Sequence, residues 1–410
     1  MRILVVSQYF WPESFRINDV VRSLAEKGVV VEVLTGKPNY PEGVFFPGYA
    51  GWGCQRQELL GAKVFRLPII ARGARSAVRL VLNYFSFVFS GVLIAPWVLR
   101  KRQYDAIFVY APSPILQALP ALFLGSLKRA PVVVWVQDLW PESLEATGHV
   151  RNTRVLAWVG WVVRFIYRHT DLLLVQSRGF ETPVAAMASG TPVVYFPNSV
   201  EPAFYNPPDL LLPDIAALDE GFAVVFAGNV GEAQAVEVIV EAAALLRDHP
   251  KIRFVVLGQG SRWNWMCEQV KGRGLNNLHL PGRYPVETMP GLMQKASALL
   301  VSLADRPIFA ATVPNKVQAY MAVGRPILAC LNGEGARLVE EAGAGLSVPA
   351  EDARGLAAAV LRLYEMPGDD RATMGANGRR YFREHFDHDR LVDELIGHFR
   401  SLSTFKRGEE

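Results

Sequence analysis

Short, almost wholly apolar runs rich in Val, Ile and Leu recur along the chain. They cover 2–8, 29–35, 62–67, 104–110, 131–137, 172–177 and 192–196, then 222–228, 252–257, 278–280, 298–303 and 326–331. Runs without polar alternation fit strands covered on both faces, the situation of a parallel sheet. Helix-length segments lie between many of them, so the pattern reads as repeated βα units. The two series are parted by Pro197, Pro202, Pro207, Pro208 and Pro213, all within seventeen residues, which predicts an interdomain linker. The prediction is an α/β protein of two doubly wound parallel-sheet domains facing a cleft, where ligands bind beyond the carboxyl ends of the strands.

One run does not fit a strand. Residues 80–99 (LVLNYFSFVFSGVLIAPWVL) carry no charge over twenty positions. A helix of that length is about 30 Å long, one hydrocarbon thickness. The runs at 62–67 and 104–110 read as strands of one sheet, however, and a single crossing would part them across a bilayer. Asn83, Ser86, Ser90 and Pro96 argue the same way, so the expectation is a buried or interfacial helix. Charge sharpens the picture. The net +4 of the 410 residues hides an asymmetry: residues 1–200 hold 21 Lys and Arg against 12 Asp and Glu, and the remainder 22 against 27. Between Glu58 and Asp105 there is no acid but eight bases, Lys63, Arg66, Arg72, Arg75, Arg79, Arg100, Lys101 and Arg102. No helix-turn-helix, zinc-finger or RNP-like pattern accompanies them, so no nucleic-acid partner is expected. An anionic membrane surface is favoured over a merely basic exterior. Trp158, Trp161, Arg164, Phe165, Tyr167 and Arg168 form an aromatic and basic helical segment. Its spacing suits a core stripe or a helix at a bilayer interface.

Composition excludes disorder, collagen and coiled coil. Cys54, Cys267 and Cys330 form no CxxC pair and no His/Cys cluster at metal spacing, so the setting expected is reducing and cytoplasmic, and the metal expected is none. Met1-Arg2 runs straight into Ile3-Leu4-Val5-Val6, which reads as a buried strand rather than a cleavable leader. No GxGxxG opens either half and no GxxxxGK[ST] loop occurs. Instead Gly228-Asn229-Val230-Gly231 follows the run 222–228 and precedes a helix near Glu232. Such a glycine-bracketed turn offers backbone N–H groups and the positive end of a dipole to a phosphate, though αL glycine turns are common in any fold.

Seven stretches occur in order along almost the whole chain: SQYFWPESFRIND (7–19), VLTGKPNYPEG (33–43), VQDLWPESLEATG (136–148), FPNSV (196–200), FAGNVGEAQ (226–234), TVPNKVQAYMAVGRPIL (312–328) and NGEGARLVEEAGAGL (332–346). Together they resemble a family 4 retaining glycosyltransferase of the GT-B architecture. Within that family they are most similar to the N-acetyl-L-fucosamine transferases of bacterial O-antigen and capsule assembly. The resemblance implies two Rossmann-like domains, 1–200 for the acceptor and 201–387 for a nucleotide-sugar donor, with a helix over 388–402 returning to the first. It implies a UDP-linked donor, a polyprenyl-diphosphate-linked saccharide acceptor, no cofactor or metal, and a peripheral place on the inner face of the cytoplasmic membrane.

The chain departs from the broader family where the donor is held. Ala311 and Ala319 stand where two glutamates are usual, Asn229 and Gln234 where an Arg and a Lys are usual, and Gln137 where a His is usual. A leaving diphosphate still needs a cation or helix N-terminus beside it. Lys316, after Val313-Pro314-Asn315 and at a helix start, is the best remaining candidate, since a lysine there opposes the dipole. Arg283, after Pro281-Gly282, resembles the turn that contacts the base. Arg16 lies in the first βα connection, and Glu334, between Gly333 and Gly335, is placed to accept ribose or sugar hydroxyls. Asp138 and Glu142, at a strand's carboxyl end, are the candidates for handling the acceptor and its proton, unless Asp138 caps the next helix. Two other readings stay open: a catalytically silent nucleotide-sugar-binding partner, suggested by Ala311 and Ala319, and a non-hydrolysing epimerase, for which no histidine and carboxylate set is found.

Overall fold

The computed structural model describes residues 1–73, 76–146 and 152–407. The chain divides into two compact units, Met1–Phe196 with Asp389–Glu410, and Pro197–His388. The first unit is built on β1 (Arg2–Val6), β2 (Val30–Gly36), β3 (Gln55–Leu59), β4 (Ala62–Leu67), β5 (Ala106–Ala111), β6 (Val132–Val136), β7 (Leu172–Val175) and β8 (Val193–Tyr195). Its helices are α1 (Ile17–Glu26), α2 (Ala77–Leu93), α3 (Ala95–Val98), α4 (Ala118–Lys128), α5 (Glu142–Ala146), α6 (Thr153–Arg168) and α7 (Glu181–Ala188). The strand order is β3-β4-β2-β1-β5-β6-β7-β8. Every pairing is parallel except β3 on β4. The central strands are buried along their whole length because helices cover both faces, which is why their sequences show no alternation.

In the second unit α8 (Ala216–Asp219), β9 (Phe222–Ala227), α9 (Glu237–Leu245), β10 (Ile252–Leu257), α10 (Trp263–Arg273) and β11 (Leu278–Gly282) come first. They are followed by α11 (Met289–Gln294), β12 (Ala298–Ser302), α12 (Pro307–Ala311), α13 (Asn315–Val323), β13 (Ile327–Cys330), α14 (Glu334–Glu341), β14 (Gly345–Val348), α15 (Ala353–Glu365) and α16 (Gly368–His385). The order β11-β10-β9-β12-β13-β14 is parallel throughout. The chain then returns to the first unit as α17 (His388–Arg407), whose Leu391, Val392, Leu395, Ile396 and Phe399 join the core of β1, β5 and β6 beside α1.

Two strands escape the hydrophobic pattern. β3 (QRQEL) is a half-exposed edge strand, antiparallel across a turn in which Leu60 and Gly61 take φ of 53° and 73°. β14 (GLSV) starts at Gly345, where a Cβ would strike the Ile327 backbone carbonyl. The uncharged run 80–99 is not one helix. It falls into α2 and α3, parted at Ile94 just before Pro96, whose missing N–H and ring disfavour continuation. Among the described residues no helix is long and apolar enough to cross a membrane.

Candidate functional site

In the second sheet the order reverses at β9, which has β10 on one side and β12 on the other. Doubly wound sheets bind ligands at such a switch point, because the connections leave in opposite directions and open a crevice. The turn Gly228-Asn229-Val230-Gly231 stands there, and glycines let it lie flat against its neighbours. Gly228 N–H donates to Leu257 O (2.8 Å), Val230 N–H to Gln259 O (3.0 Å) and Gly258 N–H to Gly282 O (2.9 Å). A Cβ on Gly258 would fall onto Gly228 O, and one on Gly260 onto Val230 O. Asn229 Nδ2 donates to Gln234 Oε1 (3.0 Å), so the two residues at the family's usual cation positions bind each other. Ser302 Oγ donates to Gln234 O (2.6 Å), tying the turn to β12.

Lys316 reaches this turn from the first turn of α13. Its Nζ lies 3.6 Å from the centroid of the Phe226 ring, out of solvent and without a hydrogen-bond partner. Burial alone pushes its ammonium down to about 7. Gly228, at φ +127°, leaves the room it needs: a Cβ there would meet Lys316 Cε at 2.8 Å and Nζ at 3.2 Å. The end of β9 is held by Tyr320, whose hydroxyl accepts from Ala227 N–H (3.1 Å). Asn198 Nδ2 donates to Asn315 Oδ1 (3.1 Å), so FPNSV anchors the residue that opens α13. A lone buried cation between a ring face and a glycine turn is costly unless an anion joins it. The site is suited to a phosphate.

The remaining candidates divide. Gly333 takes φ +76° with its Cα hydrogens against Ala310 O, bringing NGEG onto α12. Glu334 is not a loop carboxylate: it sits in the first turn of α14 and is gripped by Arg337, Nη2 to Oε2 at 2.9 Å. Arg283 is exposed beside Gly282, where β11 ends. Arg16, half-buried, is the residue before α1 in the first unit. Ala319 packs against the core under α13, so no carboxylate occupies the usual ribose position.

In the first unit Asp138 and Glu142 flank the Trp140-Pro141 step after β6. Desolvation raises the Asp138 carboxyl to about 6. Glu142 Oε2, Trp140 Nε1, Gln137 Nε2, Gln176 Oε1 and Tyr167 Oη are all buried without hydrogen-bond partners. Burial, then Glu142 and Asp138, push the Tyr167 phenol up, which places all three in one electrostatic neighbourhood. Tyr167 carries no local sequence signal beyond its aromatic helix. Five orphaned polar atoms, two of them on Gln137 and Gln176 just past β6 and β7, suit a ligand rich in hydroxyls. The chain's Asp-x-Asp, Asp387-His388-Asp389, lies at the junction of α16 and α17, with His388 Nδ1 2.8 Å from Ser199 Oγ. Among the described residues no three His, Cys, Asp or Glu side chains are gathered as for a metal ion.

Residues 14–199 match the glycosyl transferase 4-like domain and residues 221–366 the glycosyl transferases group 1. Between them the two glycosyltransferase models cover most of the chain, and its two parallel-sheet units have the GT-B fold. WcaI of Escherichia coli (strain K12), by its name a glycosyl transferase of colanic acid biosynthesis, is 27% identical over 344 residues, 79% of this chain and 82% of WcaI. The sucrose-phosphate synthase of Thermosynechococcus elongatus shares the fold at TM-score 0.74 and 18% identity, covering 98% of each chain. Anabaena HepE in complex with UDP does so at TM-score 0.66 and 14% identity, over 98% of this chain and 100% of its own.

Proposed function

We propose that the protein moves a sugar, with retention, from a UDP-linked donor to a polyprenyl-diphosphate-linked saccharide in bacterial surface-polysaccharide synthesis. N-acetyl-L-fucosamine is the sugar that the motif resemblance favours, for an O-antigen or capsule. The observation that carries the reading is the buried, unpartnered Lys316 ammonium against the Gly228 turn. WcaI's name supports the polysaccharide, and the UDP held by HepE supports the nucleotide. In this reading Lys316 and the N–H groups of Asn229 and Gly231 take the diphosphate, with Asn315, Gly333 and Glu334 from the neighbouring helix starts and Arg283 toward the base. The acceptor hydroxyl attacks the anomeric carbon as the bond to the phosphate oxygen breaks. Its proton passes to that leaving oxygen, on the same face, or to Asp138 or Glu142, which orient the acceptor.

The test is a donor screen read by mass spectrometry, with a membrane lipid fraction as acceptor. Lys316→Ala is expected to weaken UDP binding by about 1.5–3 kcal/mol and to lower turnover in proportion. Unchanged UDP affinity in that variant moves the site elsewhere. Activity is expected to survive EDTA; loss on chelation, restored by Mg²⁺ or Mn²⁺, contradicts the metal-free reading. Ala319, a core-packed residue at the ribose position, gives the silent-partner reading its footing. Donor hydrolysis without acceptor separates the two, since only an enzyme consumes the donor.

A further inference from the structure

The helices on one face of the first sheet are apolar toward solvent. α2 packs on α4, α4 on α6, and α6 on α7, forming a row. In α2 the buried stripe is Asn83, Phe87 and Gly91, and Gly91 meets Pro120 of α4 so closely that a Cβ would stand 2.5 Å from the Pro120 Cβ. The outer stripe is the more hydrophobic one: Val78, Leu82, Phe89 and Leu93, continued by Trp97 of α3. Phe89 is 62% exposed and Trp97 71%. α6 repeats the arrangement. Val155, Trp158, Trp161 and Phe165 face solvent, Trp161 is 61% exposed, and the Trp161 and Phe165 rings stack at 6.2 Å. The Phe85 and Trp158 rings, 6.5 Å apart, join the two helices. A patch of this kind on one side of a domain marks an interaction surface.

Charge says what covers it. α2, α3, α4 and α6 contain no Asp or Glu, but they carry Arg79, Lys128, Arg154, Arg164 and Arg168, with Arg100 and Lys101 exposed just past α3. The other face of the same sheet is covered by α1 and α17, which mix the acids Asp19, Glu26, Asp389, Asp393 and Glu394 with the bases Arg22, Arg390, Arg400, Lys406 and Arg407. A second copy docking through the basic face would set like charges against each other, and an acidless aromatic face matches an anionic bilayer. Trp and Phe fill the interfacial layer while Arg reaches the headgroups.

We infer that the outer faces of α2–α3 and α6 seat the protein on an anionic lipid surface, with Trp97, Phe89, Trp158 and Trp161 inserted at the headgroup level. The purpose assigned to it rests on the lipid-linked acceptor proposed above. α6 also adjoins the acceptor-side cluster, since a Cβ on Gly160 would lie 3.8 Å from Pro141. The apolar contact is the main anchor, and not every base in the acid-free stretch helps. Arg102 is paired with buried Glu32 and lies over Phe65, Arg72 lies over Tyr40, and Arg75 is outside the described residues.

The experiment is co-sedimentation of the full chain with vesicles of phosphatidylcholine alone and of phosphatidylcholine mixed with phosphatidylglycerol. UDP binding is measured on the same samples. Wild-type protein is expected to bind the mixed vesicles with a blue shift of its tryptophan fluorescence. The Trp97→Ser, Trp161→Ser double variant, altered only at exposed positions, is expected to lose about tenfold or more in vesicle affinity while keeping its UDP affinity. Arg154→Gln with Arg164→Gln is expected to reduce both the binding and its salt dependence. Absence of vesicle binding overturns the inference, as does equal binding by wild type and the double variant. A lipid-free dimer that the tryptophan substitutions dissolve assigns the face to a second copy instead, which also overturns it. Loss of UDP binding in wild type would defeat the donor reading and leave the vesicle result standing.

Discussion

Lys316 holds its proton against its surroundings. Burial depresses it to about 7 from an ordinary 10.5. Between those values the unfolded chain binds the extra proton, so stability rises with pH across that window, by at most about 1.4 kcal/mol per unit. Below about 7 the penalty is present in full. Lys316→Met is therefore expected to melt higher than wild type at pH 7, the gap closing toward pH 10; thermal denaturation at both ends checks this. A diphosphate reverses the preference, so UDP binding should take up a proton above pH 7, seen by calorimetry in buffers of different ionisation enthalpy. Asp138 sets the other limit. If it must be ionised to handle the acceptor, kcat/KM rises toward pH 6 and then falls beyond about 7 as Lys316 loses its charge. Asp138→Asn should abolish the acid limb, and a flat profile between pH 5 and 8 would exclude both assignments.

Between elements, the connections carry as much order as the helices. Glu13, buried in the β1–α1 connection, accepts from Phe10 N–H (3.1 Å), Asn39 N–H (2.8 Å) and Tyr40 N–H (2.7 Å). Burial pushes its carboxyl up to about 7 against the pull of those donors and of Arg66. Arg66, fully buried, donates to Gln57 Oε1 (2.9 Å) and to the Trp11 carbonyl. The segments SQYFWPES and GKPNYPEG are thus one assembly, whose carboxylate orders two loops. Glu13→Ala, which orphans three donors, is expected to cost about 3 kcal/mol or more, and Glu13→Gln, which loses one acceptor, about 1–2 kcal/mol, by urea denaturation. Much of this level was legible in the sequence. The buried parallel strands show as apolar runs because both faces are covered, and the glycine turn after β9 is visible as Gly228-Asn229-Val230-Gly231. β3 was not legible, since an edge strand with residues such as Gln55, Arg56 and Glu58 needs no apolar side. Nor was the meeting of Asn198 with Asn315, because that contact joins positions that only the fold brings together. The run 80–99 was legible in hydropathy but not in its break, and its polar positions Asn83 and Ser86 prove to face Ile70.

At the scale of the whole molecule, the final segment belongs to the first unit rather than the second. Leu395 and Phe399 of α17 are fully buried among Phe108, Trp135 and Phe196, with the Phe108 and Phe399 rings edge to face at 5.5 Å. Leu395→Ala and Phe399→Ala should each cost about 2–5 kcal/mol and lower the unfolding transition of the first unit, leaving UDP affinity near wild type. The same feature sets a schedule for synthesis. A ribosome delivers β1 to β8 first, yet the sheet they form stays uncovered on its α17 side while some 190 residues of the second unit are made. The first unit to be translated is therefore the last to be completed, and for that interval Phe108 and Trp135 lack the cover that Leu395 and Phe399 later give them.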